Sequence, residues 1–327
     1  MEHSVSAIAA HQVYKRYKSA KEKAALNGFN LQVPSGTICA LLGPNGAGKT
    51  TAVKILSTLL QLDEGQASVA GFDVTTQARQ VREHIGLVGQ YAAVDEILTA
   101  RQNLVLFARL NHLSGHEATL RAGALLEQFA LTETGKVPVS TFSGGMRRRL
   151  DLAASLIVSP SVLFVDEPTT GLDPAGRREV WAAIRSLVAT GTTVLLTTQY
   201  LEEADQLADR VCMLKEGRVI AEGTPDSLKS TLGGDWLDIV VRPDDDISIV
   251  AHIVKPVAQG DMDIDSQDNR ISVPISDRTK ALVAVAMALS EAGIEPEDLT
   301  LRRPTLDEVF LHLIGPAGSE KTLEVAS

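Results

Sequence analysis

The stretch ICALLGPNGAGKTT, residues 38–51, decides how this chain folds. Its first five residues are apolar and predict a buried β-strand, and the residues from Lys49 onward predict a helix. The turn between them has the spacing of a phosphate-binding loop, in which glycines let successive backbone N–H groups point at phosphate oxygens. This succession predicts an α/β fold that holds a phosphorylated ligand at a strand end.

Two side chains at the end of this turn carry further chemistry. Lys49 can reach the β- and γ-phosphates of a nucleotide, and the Thr50 hydroxyl can ligate Mg²⁺. An ordinary glycine turn is the alternative, but the strand before it and the helix after it disfavour that interpretation. The residues of this segment predicted to contact the nucleotide are Gly43, Pro44, Asn45, Gly46, Ala47, Gly48, Lys49, Thr50 and Thr51.

A second apolar strand, residues 162–165, ends in two acids, Asp166 and Glu167. Asp166 can hold Mg²⁺ directly or through water, and Glu167 can polarise an attacking water molecule. Acids at a strand end are common, so this pair alone is a weak signal. Beside the phosphate-binding loop it becomes strong, because α/β sheets bind ligands at the carboxyl ends of their strands.

The N-terminal two thirds of the chain alternate apolar strands with helical patterns, which is typical of an α/β sheet. Residues 193–196 predict a further buried strand. From about residue 91 to residue 158 no comparable strand occurs, and we expect a helical insertion there. Its helices are predicted near residues 100–110, 115–129 and 144–157.

The pattern changes at a glycine pair, Gly233-Gly234, which predicts a linker. We expect residues 1–233 to form the nucleotide-binding domain and residues 316–327 to form a flexible tail. Between them, residues 234–315 follow the order strand, helix, strand, strand, helix, strand, which predicts a small α+β domain of the ferredoxin-like type. The predicted elements cover residues 236–241, 247–257, 261–264, 270–273, 277–292 and 298–301, and a last helix begins near Pro304.

Charge and apolar content restrict the classes of function. The chain carries 31 Lys and Arg against 41 Asp and Glu, a net charge of −10, which argues against non-specific nucleic-acid binding. No apolar run approaches the ~18 residues of a membrane-spanning helix, and no secretory signal is visible. We therefore expect a soluble protein that meets a membrane only through a partner. Its two cysteines, Cys39 and Cys212, each lie in a predicted buried strand and are expected to be small core residues, because two isolated cysteines do not indicate a disulfide scaffold or a zinc site.

Three further segments lie at or near the starts of predicted helices. Ser143-Gly144-Gly145-Met146 opens a helix with a favourable N-cap, and its glycines leave backbone N–H groups open to an anion, although Ser-Gly-Gly alone is most often a turn. The arginines at residues 147–149 span roughly 200° of helix arc, so some must face solvent or an acid; a direct phosphate contact is the alternative. The acids within residues 202–205 are expected to form a solvated first helical turn.

Taken in order, these motifs resemble those of the ABC ATPases over roughly residues 1–230. Ser143-Gly144-Gly145 is similar to the signature of that family, and Gly171-Leu172-Asp173-Pro174 is similar to its D-loop. Gln90 resembles the Q-loop glutamine that touches Mg²⁺ and faces the membrane subunit. Tyr17 resembles the aromatic residue that stacks on adenine; an ordinary loop tyrosine is the alternative. The resemblance implies that Tyr17, Gln90, the signature residues and Asp173 contact ATP, and that Gln90, Thr50 and Asp166 hold Mg²⁺.

A closer resemblance is to the daunorubicin-resistance type of exporter ATPase. Gln199 stands where most ABC ATPases have a switch histidine, Met146 stands where the signature has glutamine, and residues 303–311 are similar to the C-terminal extension of that group. The Gln199 amide can donate a hydrogen bond to the γ-phosphate. It does not titrate near neutral pH, so the catalytic pair is expected to be Gln199 as donor and Glu167 as general base.

The resemblance implies a fold with a mixed sheet core, an antiparallel sub-sheet and a helical insertion, followed by the ferredoxin-like domain. It also implies Mg²⁺-dependent ATP hydrolysis in a head-to-tail dimer, in which the signature of one copy closes on the nucleotide of the other. A separate transmembrane permease is the implied partner, at the cytoplasmic face of the membrane, and the implied cargo is an amphiphilic drug or an envelope lipid.

A different class of function also uses ABC ATPases, in translation or DNA repair. Those proteins usually carry two cassettes in one chain or a long coiled coil. This chain has one cassette, no sustained heptads and an acidic charge, and these features favour the transporter. GTP-binding P-loop proteins are disfavoured because the chain lacks an Asn-Lys-x-Asp guanine-reading motif.

Overall fold

The computed structural model describes residues 6–17, 24–90, 93–232, 234–242, 247–260 and 262–314. By their contacts these residues divide into two compact units, the first ending at Thr224 and the second beginning at Pro225. The strands of the first unit are β1 (Ser6–Lys15), β2 (Leu26–Pro34), β3 (Ile38–Leu42), β4 (Glu64–Val69), β5 (Phe72–Asp73), β6 (Ile85–Val88), β7 (Val162–Asp166), β8 (Thr193–Thr198), β9 (Arg210–Lys215) and β10 (Arg218–Gly223). Its helices are α1 (Lys49–Leu56), α2 (Ala78–His84), α3 (Ala100–Leu110), α4 (Gly115–Gln128), α5 (Gly144–Ser155), α6 (Pro174–Ala189) and α7 (Leu201–Leu207).

A six-stranded sheet forms the centre of the first unit, in the order β10-β9-β3-β8-β7-β6. Its strands run parallel except β10, which pairs antiparallel with β9. Every residue of β3, β7 and β8 is buried. This explains their continuous apolar sequence, because a parallel sheet is covered on both faces. The three buried strands predicted from the sequence are confirmed.

A second sheet of the first unit is antiparallel, in the order β2-β1-β4-β5. Side chains from it, including Phe29 and Leu31, share one core cluster with Phe164 of β7 and Leu195 of β8. The first unit therefore combines a mixed central sheet with an antiparallel sub-sheet, as the predicted fold class requires.

The segment between β6 and β7 is helical. The three helices predicted there are present as α3, α4 and α5. Thr99 and Ser114 each form a capping box at the start of α3 and α4, and the Ser143 side chain accepts a hydrogen bond from the Met146 amide at the start of α5. These caps satisfy N–H groups that the first helical turn leaves free. No helix within the described ranges is long and apolar enough to cross a membrane.

The second unit is an antiparallel sheet covered by helices. Its strands are β11 (Trp236–Val240), β12 (Asp263–Asp265), β13 (Arg270–Pro274) and β14 (Asp298–Arg302), and its helices are α8 (Pro225–Ser230), α9 (Ile247–Val254), α10 (Arg278–Glu291) and α11 (Leu306–Ile314). The strand order is β12-β13-β11-β14, with every pair antiparallel. This βαββαβ arrangement is the ferredoxin-like order predicted from the sequence.

The division by contacts falls earlier than the expected division after residue 233. The difference is α8, which packs against α11 and so belongs to the second unit. The sequence did not indicate this packing, because a short helix before a glycine pair carries no signal for its partner. The tail predicted at residues 316–327 lies outside the described residues.

The two cysteines are free and buried, as expected for small core residues. Their Sγ atoms lie 3.8 Å apart in the core. The parallel register places Cys212 of β9 opposite Leu41 of β3. Leu41 is two residues after Cys39, so their side chains lie on the same face of the sheet. Contact with Cys39 and burial raise the pKa of the Cys212 thiol well above its ordinary value.

Candidate functional site

Four neighbouring strands of the central sheet carry the predicted motifs at their carboxyl ends. The phosphate-binding loop follows β3, Gln199 follows β8, Glu167 follows β7 and Gln90 lies two residues after β6. These strands are adjacent in the order β3-β8-β7-β6, with Leu42 opposite Thr198 and Asp166 opposite Thr197. Motifs that lie between residues 43 and 199 of the sequence therefore meet at one edge of the sheet, where α/β proteins bind ligands.

The phosphate-binding loop has the backbone that glycine permits. Gly48, the N-cap of α1, has φ of 111°, and a Cβ atom there would lie 2.4 Å from the Ala25 carbonyl oxygen. No side chain caps α1, so the first N–H groups of this helix are free to meet an anion. The loop thus fits a phosphate group both in its backbone and in its partial charge.

Lys49 lies buried beneath this loop. Its Nζ atom donates to the carbonyl oxygens of Gly43 at 2.7 Å and Pro44 at 3.2 Å, and it lies 4.0 Å from Oε1 of Glu167. Burial lowers the pKa of Lys49, while the carboxylates of Glu167 and Asp166 oppose that shift. The ammonium group therefore sits between the loop and the two acids at the end of β7, Asp166 and Glu167.

The predicted metal ligands Thr50 and Asp166 are brought together. The Thr50 hydroxyl donates to Oδ2 of Asp166 at 3.3 Å. The other carboxylate oxygen accepts a short hydrogen bond from the Thr197 hydroxyl of β8. Asp166 is thus fixed from two sides, with one oxygen facing the phosphate-binding loop.

Glu167 occupies an unusual backbone conformation just beyond β7. Its φ is 48°, in the left-handed region, which costs a non-glycine residue about 1–2 kcal/mol. Its amide donates to the carbonyl and the hydroxyl oxygens of Thr197 at 3.1 and 3.2 Å. Its Oε2 atom accepts from Nε2 of Gln90 at 3.4 Å, so the two predicted residues are in contact. Strained residues of this kind cluster at functional sites.

Tyr17 and Gln199 lie at the margins of this cluster. The Tyr17 hydroxyl is 3.4 Å from the Thr51 hydroxyl on α1, and the residue is 39% exposed. Gln199 is half-buried directly after β8. Its neighbour Tyr200 lies under the guanidinium of Arg177, 5.0 Å from the ring centroid.

The signature segment and the D-loop form a second cluster. A Cβ atom on Gly145 would lie 3.3 Å from Cα of Gly176, so α5 and α6 approach closely at their first turns. The Asp173 side chain caps α6 by accepting from the Gly176 amide at 3.0 Å. Ser143 and Gly144 are exposed. Within the described residues of one copy, no hydrogen bond or ion pair joins these residues to the phosphate-binding loop.

The acidic run at residues 202–205 does not follow the prediction of a solvated helical turn, because Glu203 is 1% exposed. Of the three arginines, expected to face solvent or an acid, Arg148 is 7% exposed and lies 3.4 Å from Asp151. Arg148 reaches the backbone around β6 and β7. Glu203 accepts from the Thr169 hydroxyl at 2.8 Å and the Trp181 indole at 3.1 Å. Helical spacing could have indicated Arg148, because it lies on the same arc as Leu152 and between the buried Gly145 and Asp151.

Glu203 and Asp151 are also electrostatically unusual. Burial raises the pKa of the Glu203 carboxyl, and the hydrogen bonds from Thr169 and Trp181 oppose the shift. Burial raises the pKa of Asp151 as well, opposed by the Ala93 amide and the charge of Arg148. The sequence analysis did not indicate a buried acid at either position.

Comparison with known proteins yields one consistent group. Residues 26–170 match the family model described as ABC transporter. The daunorubicin resistance ATP-binding protein DrrA2 of Streptomyces coeruleorubidus is 58% identical over 309 residues, which cover 94% of this chain and 95% of that protein. The doxorubicin resistance ATP-binding protein DrrA of Mycobacterium tuberculosis is 47% identical over 93% of this chain and 92% of its own length.

A solved structure gives the same fold. An ATP-binding cassette in a dimeric, post-hydrolysis state bound to ADP and Pi aligns with a TM-score of 0.60 and 27% identity. The alignment covers 66% of this chain and 98% of that one.

Proposed function

This chain belongs to the ATP-binding subunits of ABC transporters, and on that premise we propose that it hydrolyses ATP to power export of an amphiphilic drug or an envelope lipid through a separate membrane subunit. The observation that carries the chemistry is the contact chain Lys49–Glu167–Gln90 at the ends of neighbouring strands. The observation that carries the transport is the similarity, over nearly the whole chain, to resistance proteins named for daunorubicin and doxorubicin.

In this proposal the phosphate-binding loop and α1 hold the phosphates of ATP. Backbone N–H groups of residues 45–51, which include the helix N-terminus, supply the hydrogen bonds, and Lys49 supplies the point charge on the β- and γ-phosphates. The contacts that Lys49 makes to Gly43 and Pro44 keep its ammonium group beside the loop. The Tyr17 ring is the proposed stacking surface for adenine.

Thr50 and Asp166 fit a magnesium ion. Their oxygens lie 3.3 Å apart, close to the roughly 2.9 Å edge of an octahedron with bonds of 2.0–2.1 Å. One carboxylate and one hydroxyl beside substrate phosphates are a usual protein contribution to a Mg²⁺ site. Gln90 is the proposed third protein ligand. Bound Mg²⁺ would neutralise charge on the phosphate oxygens as the leaving group departs.

Glu167 is the proposed general base. Its carboxylate takes a proton from water as the water oxygen attacks the γ-phosphorus, and the bond to the β-phosphate oxygen breaks to release ADP. Gln90 bonds Oε2 of this carboxylate and so orients it. Gln199 donates its amide hydrogen to the γ-phosphate from the neighbouring strand end, in the role that a switch histidine has elsewhere in the family.

A second copy of the chain completes the proposed site. Ser143, Gly144 and Asp173 lie apart from the phosphate-binding loop within one copy, and exposed amides at a helix start are suited to an anion from outside. The dimeric state of the solved cassette with ADP and Pi supports this arrangement. The permease is proposed to hold the dimer at the cytoplasmic face of the membrane.

Transport in membrane vesicles tests the proposal. Inside-out vesicles containing the chain and a candidate permease should take up a fluorescent amphiphilic drug or a labelled lipid when MgATP is added. Vesicles with E167Q, which keeps the side-chain shape, are the matched control and should not accumulate either compound. Equal uptake with and without ATP, or with E167Q, would contradict the proposed coupling.

A further inference from the structure

Arg148 is the buried member of the three consecutive arginines on α5. Its neighbours have other partners: Arg147 pairs with Glu96 at 2.7 Å, and Arg149 pairs with Glu179 at 3.2 Å and donates to the Phe129 carbonyl. Arg148 instead points between α5 and the carboxyl ends of β6 and β7. All three nitrogens of its guanidinium group are bonded to protein oxygens there.

Two of these nitrogens bond the backbone on either side of Glu167. Nη2 donates to the carbonyl oxygen of Asp166 at 2.9 Å, and Nε donates to the carbonyl oxygen of Pro168 at 3.0 Å. Glu167 lies between these carbonyls with φ of 48°. One planar group thus bonds the backbone before and after a residue in an unfavourable conformation, in addition to the bonds that the Glu167 amide donates to Thr197.

The third nitrogen extends the same control to the loop that carries Gln90. Nη1 donates to the carbonyl oxygen of Gly89 at 2.6 Å and lies 3.4 Å from Oδ2 of Asp151, one turn further along α5. The other carboxylate oxygen of Asp151 accepts from the Ala93 amide at 3.0 Å. The Arg148–Asp151 pair therefore holds this loop on both sides of Gln90.

We propose that Arg148 is a positioning residue for ATP hydrolysis. It fixes the backbone on both sides of Glu167 and at the residue before Gln90, and so keeps the Glu167 carboxylate and the Gln90 amide in contact. The inference rests on the proposed role of Glu167 as base. Arg148 lies on α5, the helix that begins at the Ser143-Gly144-Gly145 signature. It therefore connects this helix directly to the part of the site where water is proposed to attack. Lysine cannot replace it, because one ammonium group cannot bond three separated carbonyls in a plane.

Arg121 provides a matched control. It is also a partly buried arginine of the first unit, and it donates to the carbonyls of Leu156 and Ile157 and to the Ser159 hydroxyl. These acceptors lie at the opposite end of α5 from Arg148. Loss of either guanidinium removes three contacts to backbone or hydroxyl oxygens, but only Arg148 touches the candidate site.

The first experiment separates binding from chemistry in the full-length chain. R148Q and R148K should bind MgATP within threefold of wild type by calorimetry, while the single-turnover rate of hydrolysis falls by about 10- to 100-fold, the cost of misplacing a reacting group by about 1 Å. R121Q should keep the wild-type rate within twofold, even if its melting temperature falls as much as that of R148Q. Rates are compared at a temperature where circular dichroism shows each variant folded, and R148K replaces R148Q if the latter does not fold.

A double-mutant cycle tests whether Arg148 acts through Glu167. Adding R148Q to E167Q should slow single-turnover hydrolysis by less than threefold, because the carboxylate that Arg148 positions is already gone.

Hydrogen exchange gives a second test. Exchange in R148Q should rise in peptides covering residues 86–95 and 162–172, and it should stay unchanged there in R121Q. A folded R148 variant with wild-type turnover, full additivity in the cycle, or unchanged exchange would overturn the proposal. If E167Q itself keeps wild-type turnover, the proposed base is wrong, and this outcome is distinct from a failure of Arg148 alone.

Discussion

The two units of the chain treat buried polarity differently. Among the described residues, the first unit buries five charged side chains: Lys49, Arg148, Asp151, Asp166 and Glu203. Among its described residues the second unit buries a single polar side chain, Ser272, and its ion group of Arg302 with Asp238 and Glu308 stays partly exposed. Because burying a charge is costly, a unit that does so repeatedly at one sheet edge is built around chemistry rather than around packing.

The largest effect that would test this contrast is expected at Glu167. E167Q should keep MgATP binding and lower turnover by about 10²- to 10⁴-fold, since a positioned general base contributes that much. ATP should then accumulate in a trapped dimer, which size-exclusion chromatography can detect. Phosphate release within threefold of wild type would show that the buried charges of the first unit serve something other than hydrolysis.

Lys49 tests the binding half of the same cluster. K49A removes the ammonium group that lies between the phosphate-binding loop and the two acids, so nucleotide affinity itself should fall. A hydrogen bond between charged groups is worth about 1.5–3 kcal/mol, which corresponds to roughly 10- to 150-fold in Kd. K54A, on the opposite and exposed side of α1, is the control and should leave calorimetric affinity unchanged. Equal affinity of K49A and wild type would contradict the phosphate-binding role.

Gln199 is expected to give an intermediate effect on turnover. Q199A should slow hydrolysis by about 10- to 100-fold, because it loses one hydrogen bond to a charged group, while ATP binding changes little. Q199H should restore turnover and add a pH dependence between about 5 and 8, because imidazole titrates in that range. The measurement is a pH–rate profile of both variants in the complete transporter. Wild-type turnover of Q199A there would mean that this residue does not sense the γ-phosphate.

Much of the fold and of the site edge could be predicted from the sequence. The apolar runs that became β3, β7 and β8 are short and bounded by turn residues, which favours strands buried on both faces of a parallel sheet over buried helices. A glycine-rich turn between a strand and a helix then fixes where a phosphate can sit. The ferredoxin-like order of the second unit followed in the same way from alternating strand and helix patterns.

What could not be predicted depends on contacts across distant elements. The burial of Arg148 and Glu203 is decided by carbonyls and side chains from other elements, and a run of like charges has the same sequence appearance whether solvated or bonded. The contact between Cys39 and Cys212 depends on the register of β3 and β9, which local pattern does not specify. The affiliation of α8 depends on its packing against α11.

A pair of strand leucines tests whether the units are independent. Leu163 of β7 and Leu237 of β11 are both 0% exposed. L237A should destabilise the second unit by about 2–5 kcal/mol and leave ATP affinity unchanged, whereas L163A should cost as much and also weaken ATP binding, because β7 carries Asp166. Denaturant unfolding followed alongside calorimetry gives both quantities. A loss of affinity in L237A equal to that in L163A would show that the second unit supports the site.

The smallest effect is expected at Glu203, where the first unit buries an acid without a full set of partners. Its Oε1 atom accepts from Thr169 and Trp181, but among the described residues its buried Oε2 atom has no hydrogen-bond partner. Glutamine has the same shape and can keep the Oε1 contacts. E203Q therefore removes a buried titratable group while preserving the packing of α7 against α6.

The pH dependence of E203Q follows from the direction of the Glu203 shift. Burial raises the pKa of this carboxyl in the folded chain above its ordinary value of 4.5, so above that pH the folded state binds more protons than the unfolded state. Stability contributed by the neutral acid is fully present below about pH 4.5 and is lost as the pH rises through the folded pKa. Since glutamine does not titrate, the free energy of unfolding of E203Q should rise relative to wild type over that window.

E202Q, which removes a charge from the neighbouring residue, controls for surface charge. Urea unfolding at a series of pH values measures the free energy of unfolding of both variants. A difference between E203Q and wild type that is constant with pH, or that falls as pH rises, would mean that Glu203 is ionised in the folded protein and is held by the charge of Arg148.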